Sequence, residues 1–256
     1  MSYAENVDKF CRRESVRERA FANIWSNEID KVFADVAGYY DRVNRVASLG
    51  LIDWFRDSFI STIEVKPQQR VLDVCAGTNA VGIALLRKQP SLKVHAVDRS
   101  EEMQHVGQEQ ANAEGFHIDS TISDVHTLPF PDNHFDVVTI QFASRHLKLI
   151  TVIQEIKRVL KPGGHFYHSD MLRPGNRVVE EAYFAYLTAC VSLVAWVFNS
   201  NQHALGCKEY FVDALRLFYS PEEMTQLLYD QGFTAVSCKS LLGGVVGSHK
   251  AVSALH

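Results

Sequence analysis

The chain has 256 residues, 46% of them hydrophobic and 22% charged, which suits one substantial α/β core or two small domains and excludes disorder as the main state. A formal net charge of -4 gives no basic footprint, so nucleic acid is not an expected partner. Five scattered cysteines (Cys11, Cys75, Cys190, Cys207, Cys238) without a C-x-x-C argue for reduced thiols, against a disulfide framework and for no bound metal. The start M-S-Y-A-E-N-V-D-K-F lacks a basic-then-apolar signal, which points to a cytoplasmic setting.

Residues up to about Asn44 read as a helical extension. Arg12, Arg13, Glu14, Arg17, Glu18 and Arg19 form a solvated charge run, while Phe10, Phe21, Ile24 and Trp25 supply one packing stripe. Such a segment either packs on the main body or serves as a lid or a partner-binding arm. Within Ile29–Phe59, apolar spacing at Val32, Phe33, Val36 and then Val43, Val46, Leu49 predicts two helices around a polar joint, Tyr40–Asn44, with Asp41 or Asn44 as helix cap.

The stretch Arg70–Gly82, R-V-L-D-V-C-A-G-T-N-A-V-G, carries the strongest signal. Val71, Leu72 and Val74 suit a doubly buried parallel strand, and a helical pattern resumes through Ile83, Leu85 and Leu86. Strand, small-residue turn and helix start bring backbone N–H groups up to a nucleotide-like ligand. A dinucleotide fold wants G-x-G-x-x-G, and only one glycine of that fingerprint is present. Asp73 before a glycine-poor turn instead resembles motif I of the class I S-adenosylmethionine (SAM) methyltransferases. Gly77 allows close backbone approach, and Asn79 tolerates a left-handed conformation.

Leu92–Val97 predicts a second strand ending at Asp98, a position that can accept ribose hydroxyls, and Ser100 caps the helix that follows. A third strand over about Phe116–Ile122 leads to Asp124 and Val125, an acid beside a backbone amide that suits an adenine edge. Phe135–Gln141 is the fourth strand, and Thr151–Leu160 an amphipathic helix stopped by Lys161-Pro162-Gly163-Gly164. The fifth strand, His165–Asp170, is unusually polar, which implies a cavity at its end. Glu180–Phe198 is an almost uncharged helical stretch near the lower length limit of a membrane span, read as a buried or lid helix. Ser220-Pro221 opens a further helix, and Phe233–Ser240 and Val245–Val252 form a terminal strand pair.

Taken together, V-F-A-D-V-A-G-Y-Y-D-R-V-N, L-P-F-P-D-N-H-F-D-V-V-T-I, F-A-S-R-H, R-V-L-K-P-G-G and E-Y-F-V-D-A-L-R-L-F-Y-S-P-E-E-M resemble the ubiquinone/menaquinone biosynthesis C-methyltransferases over about Glu28–Val252. The resemblance implies a class I, Rossmann-like α/β fold: a seven-stranded, mostly parallel sheet with helices on both faces and one antiparallel strand near its edge. It implies residues 1–44 as extension or lid and 45–256 as the methyltransferase domain, with a helical insertion over about 174–219. SAM is the implied cofactor, contacted by Thr78, Asp98, Asp124, Val125 and Gln141, with Asp73 and Gly77 shaping the loop beneath. Ala76, Asn79, Arg99 and Met103 complete the candidate set. The chain departs from the family at Asn79 (glycine there), His146 (asparagine), Ile52 (histidine), and in a fifth strand that has Tyr167, His168 and Asp170 where apolar residues and a glutamate stand.

The implied reaction is C-methylation of an apolar acceptor of the hydroquinone type, with N-, O- or C-methylation of a lipid or specialised metabolite, or non-methyl SAM chemistry, as alternatives. Arg145 is the candidate stabiliser of a phenolate, and His146 the candidate base, with an imidazole pKa ordinarily near ~6.5. Tyr40, His168 and Asp170 are candidates for holding the ring. The apolar Ala182–Phe198 stretch suits a prenyl tail and peripheral contact with the inner membrane surface, and a homodimer is compatible with the sequence.

Overall fold

Two-residue alternation decides the centre of the molecule. The computed structural model describes residues 3–197 and 208–255. In it, Leu72, Val74, Val138, Ile140 and Phe166 join one buried cluster, while their neighbours Val71, Val137 and Tyr167 join another on the opposite face. Strands β1 (Arg70–Val74), β4 (Phe135–Gln141) and β5 (Leu160–Met171) therefore carry apolar side chains both ways. Each such side chain contributes roughly 1.5–3 kcal/mol when covered, so helices must cap both faces.

Helices α4 (Leu51–Thr62) and α5 (Ala80–Lys88) cover one face through Phe59, Ile83 and Leu85. Helices α7 (Leu149–Val159) and α10 (Pro221–Asp230) cover the other through Val152, Ile153, Ile156, Met224 and Leu227. The sheet is completed by β2 (Lys93–Asp98), β3 (Asp119–Ile122), β6 (Phe233–Leu241) and β7 (Val246–Ser253) in the order β3-β2-β1-β4-β5-β7-β6. The pairs β3·β2, β2·β1, β1·β4 and β4·β5 are parallel, and β7 runs antiparallel to both its neighbours. The chain moves outward from β1 to β3 and returns to β4 beside β1, which opens a crevice at the carboxyl ends of these strands.

Some boundaries differ from the sequence reading. β3 starts at Asp119, because its pairing with β2 runs only from His95↔Asp119 to Asp98↔Ile122, while Ile118 packs into the core below. Lys161–Gly164 does end the preceding helix, but lies within β5, where Leu160 already pairs with Phe135 before a bulge. The helix start at Ser220 forms as expected, as a full capping box with Glu223.

The N-terminal segment is helical through α1 (Tyr3–Asn23), a π-helical turn (Ile24–Glu28), α2 (Ile29–Val36) and α3 (Tyr40–Ala47). Phe10, Phe21 and Trp25 are buried as expected. The charge run is a solvated face only in part, with Arg12 and Arg19 exposed. Arg17 is fully buried, Arg13 pairs with Glu223, and Glu14 accepts from the Leu149 N–H and the Tyr219 hydroxyl. The joint also differs: α3 begins at Tyr40, so Asp41 stands in its first turn, and the cap residue Tyr39 makes no side-chain cap bond. Val46 and Leu49 are exposed instead of packed.

Helix α8 (Arg177–Val197) buries Tyr183 and Phe184 and leaves Ala182 and Tyr186 exposed, so it is covered on one side only. Among the described residues no helix is long and apolar enough to cross a membrane. Phe198, Cys207 and the rest of 198–207 in the expected insertion lie outside the described residues, and α9 (Lys208–Arg216) follows.

Candidate active site

Backbone turns at the ends of β1, β2 and β4 build the cleft. Cys75, Gly77 and Asn79 all have positive φ (54°, 52° and 58°), coiling the loop before α5. A Cβ on Gly77 would come within 3.2 Å of the Met103 side chain, so glycine suits both the turn and the close approach. The Gly77 N–H donates to Asp98 Oδ2 at 2.9 Å, and the Ser100 N–H to Oδ1 at 2.9 Å. Burial nevertheless pushes the Asp98 carboxyl up against those bonds.

A solvent-connected cleft of about 1080 Å³ results. Tyr40, Asp73, Ala76, Gly77, Thr78, Asp98, Arg99, Met103, Asp124, Val125, Gln141 and His146 all line it, so most of the expected cofactor residues converge. Asp73 accepts from the Thr139 hydroxyl at 2.7 Å through Oδ1, and burial raises its pKa to about 7. Asp124 is exposed; the backbone and ring of His126 outweigh partial burial and hold its carboxyl below the usual range. The guanidinium of Arg99 donates to the Trp25 carbonyl at 2.7 Å.

Asn79 is a correction. Its left-handed backbone is as expected, but its side chain is fully buried beneath the loop and accepts from Gln104 at 3.0 Å, away from the cleft lining. Gln104 also donates to the Gly77 carbonyl at 2.9 Å, a supporting role that sequence reading missed. Its position four residues after the Ser100 cap, on the inner face of α6 (Glu101–Ala113), was the available signal.

A second cavity, of about 2410 Å³ including open solvent, adjoins the first and is mainly apolar. Phe33, Tyr40, Asn44, Ile52 and Phe142 line both. Val179, Tyr183 and Leu187 from α8, with Phe211 and Leu215 from α9, wall the far side. Arg145 lines this second cavity rather than the cleft, donating to Asp170 Oδ1 at 2.5 Å and to the Phe142 carbonyl at 2.9 Å. Burial opposes the Arg145 charge, but Asp170 with the Tyr40 and Tyr183 hydroxyls outweighs it, so the guanidinium stays protonated.

Asp170 itself is fully buried and lines neither cavity, so it holds Arg145 and is not placed to touch a ligand. His168 is a clear correction. It sits inside the β5·β7 sheet, Nδ1 to Nδ1 at 3.3 Å from His249, whose Nε2 donates to the Pro221 carbonyl at 3.0 Å. Burial and His249 depress its pKa well below normal, and it reaches neither cavity.

His146, on the short turn Ser144–His146, faces the cleft with its Nδ1 2.5 Å from the Tyr210 hydroxyl, which also accepts from Trp25 at 2.9 Å. Its Nε2 is buried without a protein partner among the described residues. Burial, with Arg145, Arg17 and Arg99 nearby, drives its pKa well below 6.5, so the imidazole is neutral and, contrary to expectation, stores a proton poorly.

The cleft fits SAM on its unmet polar atoms. Asp73 Oδ2 is a buried acceptor and Gln141 Nε2 a buried donor, both unsatisfied among the described residues and both on residues lining the cleft, which suits an amino-acid moiety. Asp98 at the end of β2 and Asp124 beside Val125 suit the ribose and the adenine. Sheet order and site together define a class I SAM-dependent methyltransferase. The crystal structure of a SAM-dependent methyltransferase from Aquifex aeolicus aligns with TM-score 0.58 at 20% identity, covering 83% of this chain and 97% of that one. Phosphoethanolamine N-methyltransferase 2 of Haemonchus contortus, solved with S-adenosyl-L-methionine, aligns with TM-score 0.57 at 15% identity, covering 80% of this chain and 53% of that one.

The chain belongs to the ubiE/COQ5 methyltransferase family, whose family model matches residues 22–253. It is 30% identical over 235 residues to the ubiquinone/menaquinone biosynthesis C-methyltransferase UbiE of Ectopseudomonas mendocina, with 89% of each chain covered.

Proposed function

We propose that this methyltransferase places a methyl group on a ring carbon of a reduced, prenylated quinone. The observation that carries this reading is the junction of the first cleft with a large apolar cavity at Phe33, Tyr40, Asn44, Ile52 and Phe142, with a mostly buried cation, Arg145, in the cavity wall. SAM, when bound, supplies an electrophilic methyl for in-line displacement. The chain's residues then position the acceptor and control its charge.

A hydroquinone carbon becomes nucleophilic when the neighbouring hydroxyl ionises. Arg145, kept protonated by Asp170, stabilises that phenolate from a largely apolar wall, where a fixed charge counts for more than in bulk solvent. Neutral His146 offers its unpartnered Nε2 to an acceptor hydroxyl, and its low proton affinity makes it a hydrogen-bond partner or relay. Tyr40 reaches both cavities and packs edge-on against Phe33, a wall for a planar ring.

The reading divides the chain into an extension and lid over 1–44, with Ile29, Phe33 and Tyr40 roofing the cleft, and a methyltransferase domain over 45–256. Within the insertion over about 174–219, residues of α8 and α9 wall the acceptor cavity. Exposed Leu49, Leu51, Val178 and Leu242 line its mouth, which suits delivery of a prenyl chain from the inner membrane surface by a cytoplasmic protein. Mass spectrometry of quinones from a strain lacking this protein tests the proposal. A species one ring methyl short should accumulate and vanish on complementation; an unchanged quinone profile overturns it.

A further inference from the structure

We propose that Arg17 is a positioning residue for the segment Arg145–Leu147, clamping the peptide units on either side of His146. One guanidinium nitrogen, Nη2, donates to the Arg145 carbonyl at 2.9 Å and to the Leu147 carbonyl at 3.3 Å. The other terminal nitrogen, Nη1, donates to Glu14, and Glu14 in turn accepts from the Leu149 N–H at 2.9 Å, the start of α7. Arg17 is fully buried, with its guanidinium carbon 5.4 Å from the Trp25 ring, 4.9 Å from that of Phe218 and 5.9 Å from that of Tyr219.

A cation in such a place is not needed for packing. Apolar residues of similar volume fill interiors at least as well, because a buried charge loses its hydration. What the guanidinium provides here is a two-carbonyl anchor. The segment it holds is a single short turn: His146 N–H donates to the Ala143 carbonyl, Leu147 N–H to the Ser144 carbonyl, and Arg145 N–H to Asp170 Oδ2 at 3.4 Å. Fixing the carbonyls before and after His146 sets the aim of its ring into the cleft and of the Arg145 side chain toward Asp170. The same N-terminal body reaches the imidazole a second way, from Trp25 through the Tyr210 hydroxyl to Nδ1. Arg17 and Glu14 both precede residue 22, where the family match begins, so the clamp belongs to the part of this chain outside that match.

The proposal rests on the reading that Arg145 and His146 serve the acceptor. The test uses the full chain in three variants, Arg17→Met, Arg17→Lys and Arg13→Ala, with 15N-labelled histidine. Arg17→Met fills the volume without polar bonds, and Arg17→Lys keeps the charge but, with one nitrogen on a shorter side chain, cannot bond Glu14 and both carbonyls together; either one that folds is decisive. Arg13→Ala, on the helix that carries Arg17, breaks the pair with Glu223 and removes no bond to the turn. Both Arg17 variants should lower kcat at least about tenfold with KM for SAM within about twofold. They should also move the His146 ring-nitrogen resonances in the ligand-free protein. Arg13→Ala should lower Tm and leave kcat and those resonances alone. Wild-type kcat and unmoved His146 resonances in a folded Arg17 variant overturn the clamp. If the wild-type protein methylates no hydroquinone, the acceptor reading fails, and the resonances decide the clamp alone: moved supports it, unmoved overturns it.

Discussion

The cleft at the ends of β1, β2 and β4 and the apolar cavity beside it share a wall and are made by different means. The cleft is made of backbone: three positive-φ residues in five, and Asp98 held by two N–H groups from its own and the preceding loop. The cavity is made of side chains that meet from distant parts of the chain, with Tyr40, Arg145, Met171, Tyr183 and Leu215 drawn from five segments. A local turn tolerates few residue types, whereas a wall of side chains tolerates many. Substitutions in the cavity wall should therefore disturb the backbone less than substitutions in the cleft loop.

Separating the two halves by mutation sharpens that contrast. Arg145→Ala should cut turnover by about two to three orders of magnitude while SAM affinity stays within about threefold. Calorimetry and steady-state kinetics on one preparation check it, and a joint loss of both would merge the halves.

The buried His168–His249 pair offers a second break, because it lies in neither half. His249 has a pKa near 4 through burial, against ~6.5 in an unfolded chain, and His168 is depressed in the same direction. Between pH 6.5 and 4 the unfolded chain binds the extra proton, so stability falls as pH falls. The His249 contribution alone is about 3 kcal/mol by pH 4. Urea titrations across that range should show the slope, and His249→Phe should reduce it to the part that His168 contributes.

Asp98→Ala should act on the other side of the divide. Losing a carboxylate that accepts charge-assisted bonds should weaken SAM by about 10- to 100-fold and leave kcat at saturating SAM within about threefold. The smallest effect is expected from Asn79→Gly. Glycine fits φ 58° and the Asn79 side chain points under the loop, so SAM affinity should change less than about threefold. A larger loss would put Asn79 back among the ligand contacts.

The same divide explains what could be read from sequence. Strand, turn and helix at Arg70–Gly82 were legible, because apolar runs and turn residues act locally, and Asp98 and Gln141 followed as strand ends. Arg17 was not. A charged residue in a charged run looks solvated until the partners that neutralise it, here Glu14 and the carbonyls of Arg145 and Leu147, are brought together by folding. His168 misled for the opposite reason. Polar residues on a strand suggested a cavity, but its partner was another histidine 81 positions away on β7. The pair Arg145–Asp170 was half legible: both were candidates, yet only the fold assigns one to the cavity wall and the other to its support.

The central claim is that one chain delivers a methyl group from SAM in the first cleft to a ring carbon in the apolar cavity. Incubating the purified protein with methyl-labelled SAM and a reduced prenylated quinone lacking one ring methyl tests it most directly, with mass spectrometry of both products. The account predicts S-adenosylhomocysteine and carbon-methylated quinone in equal amounts. SAM binding without label on any ring carbon would contradict it.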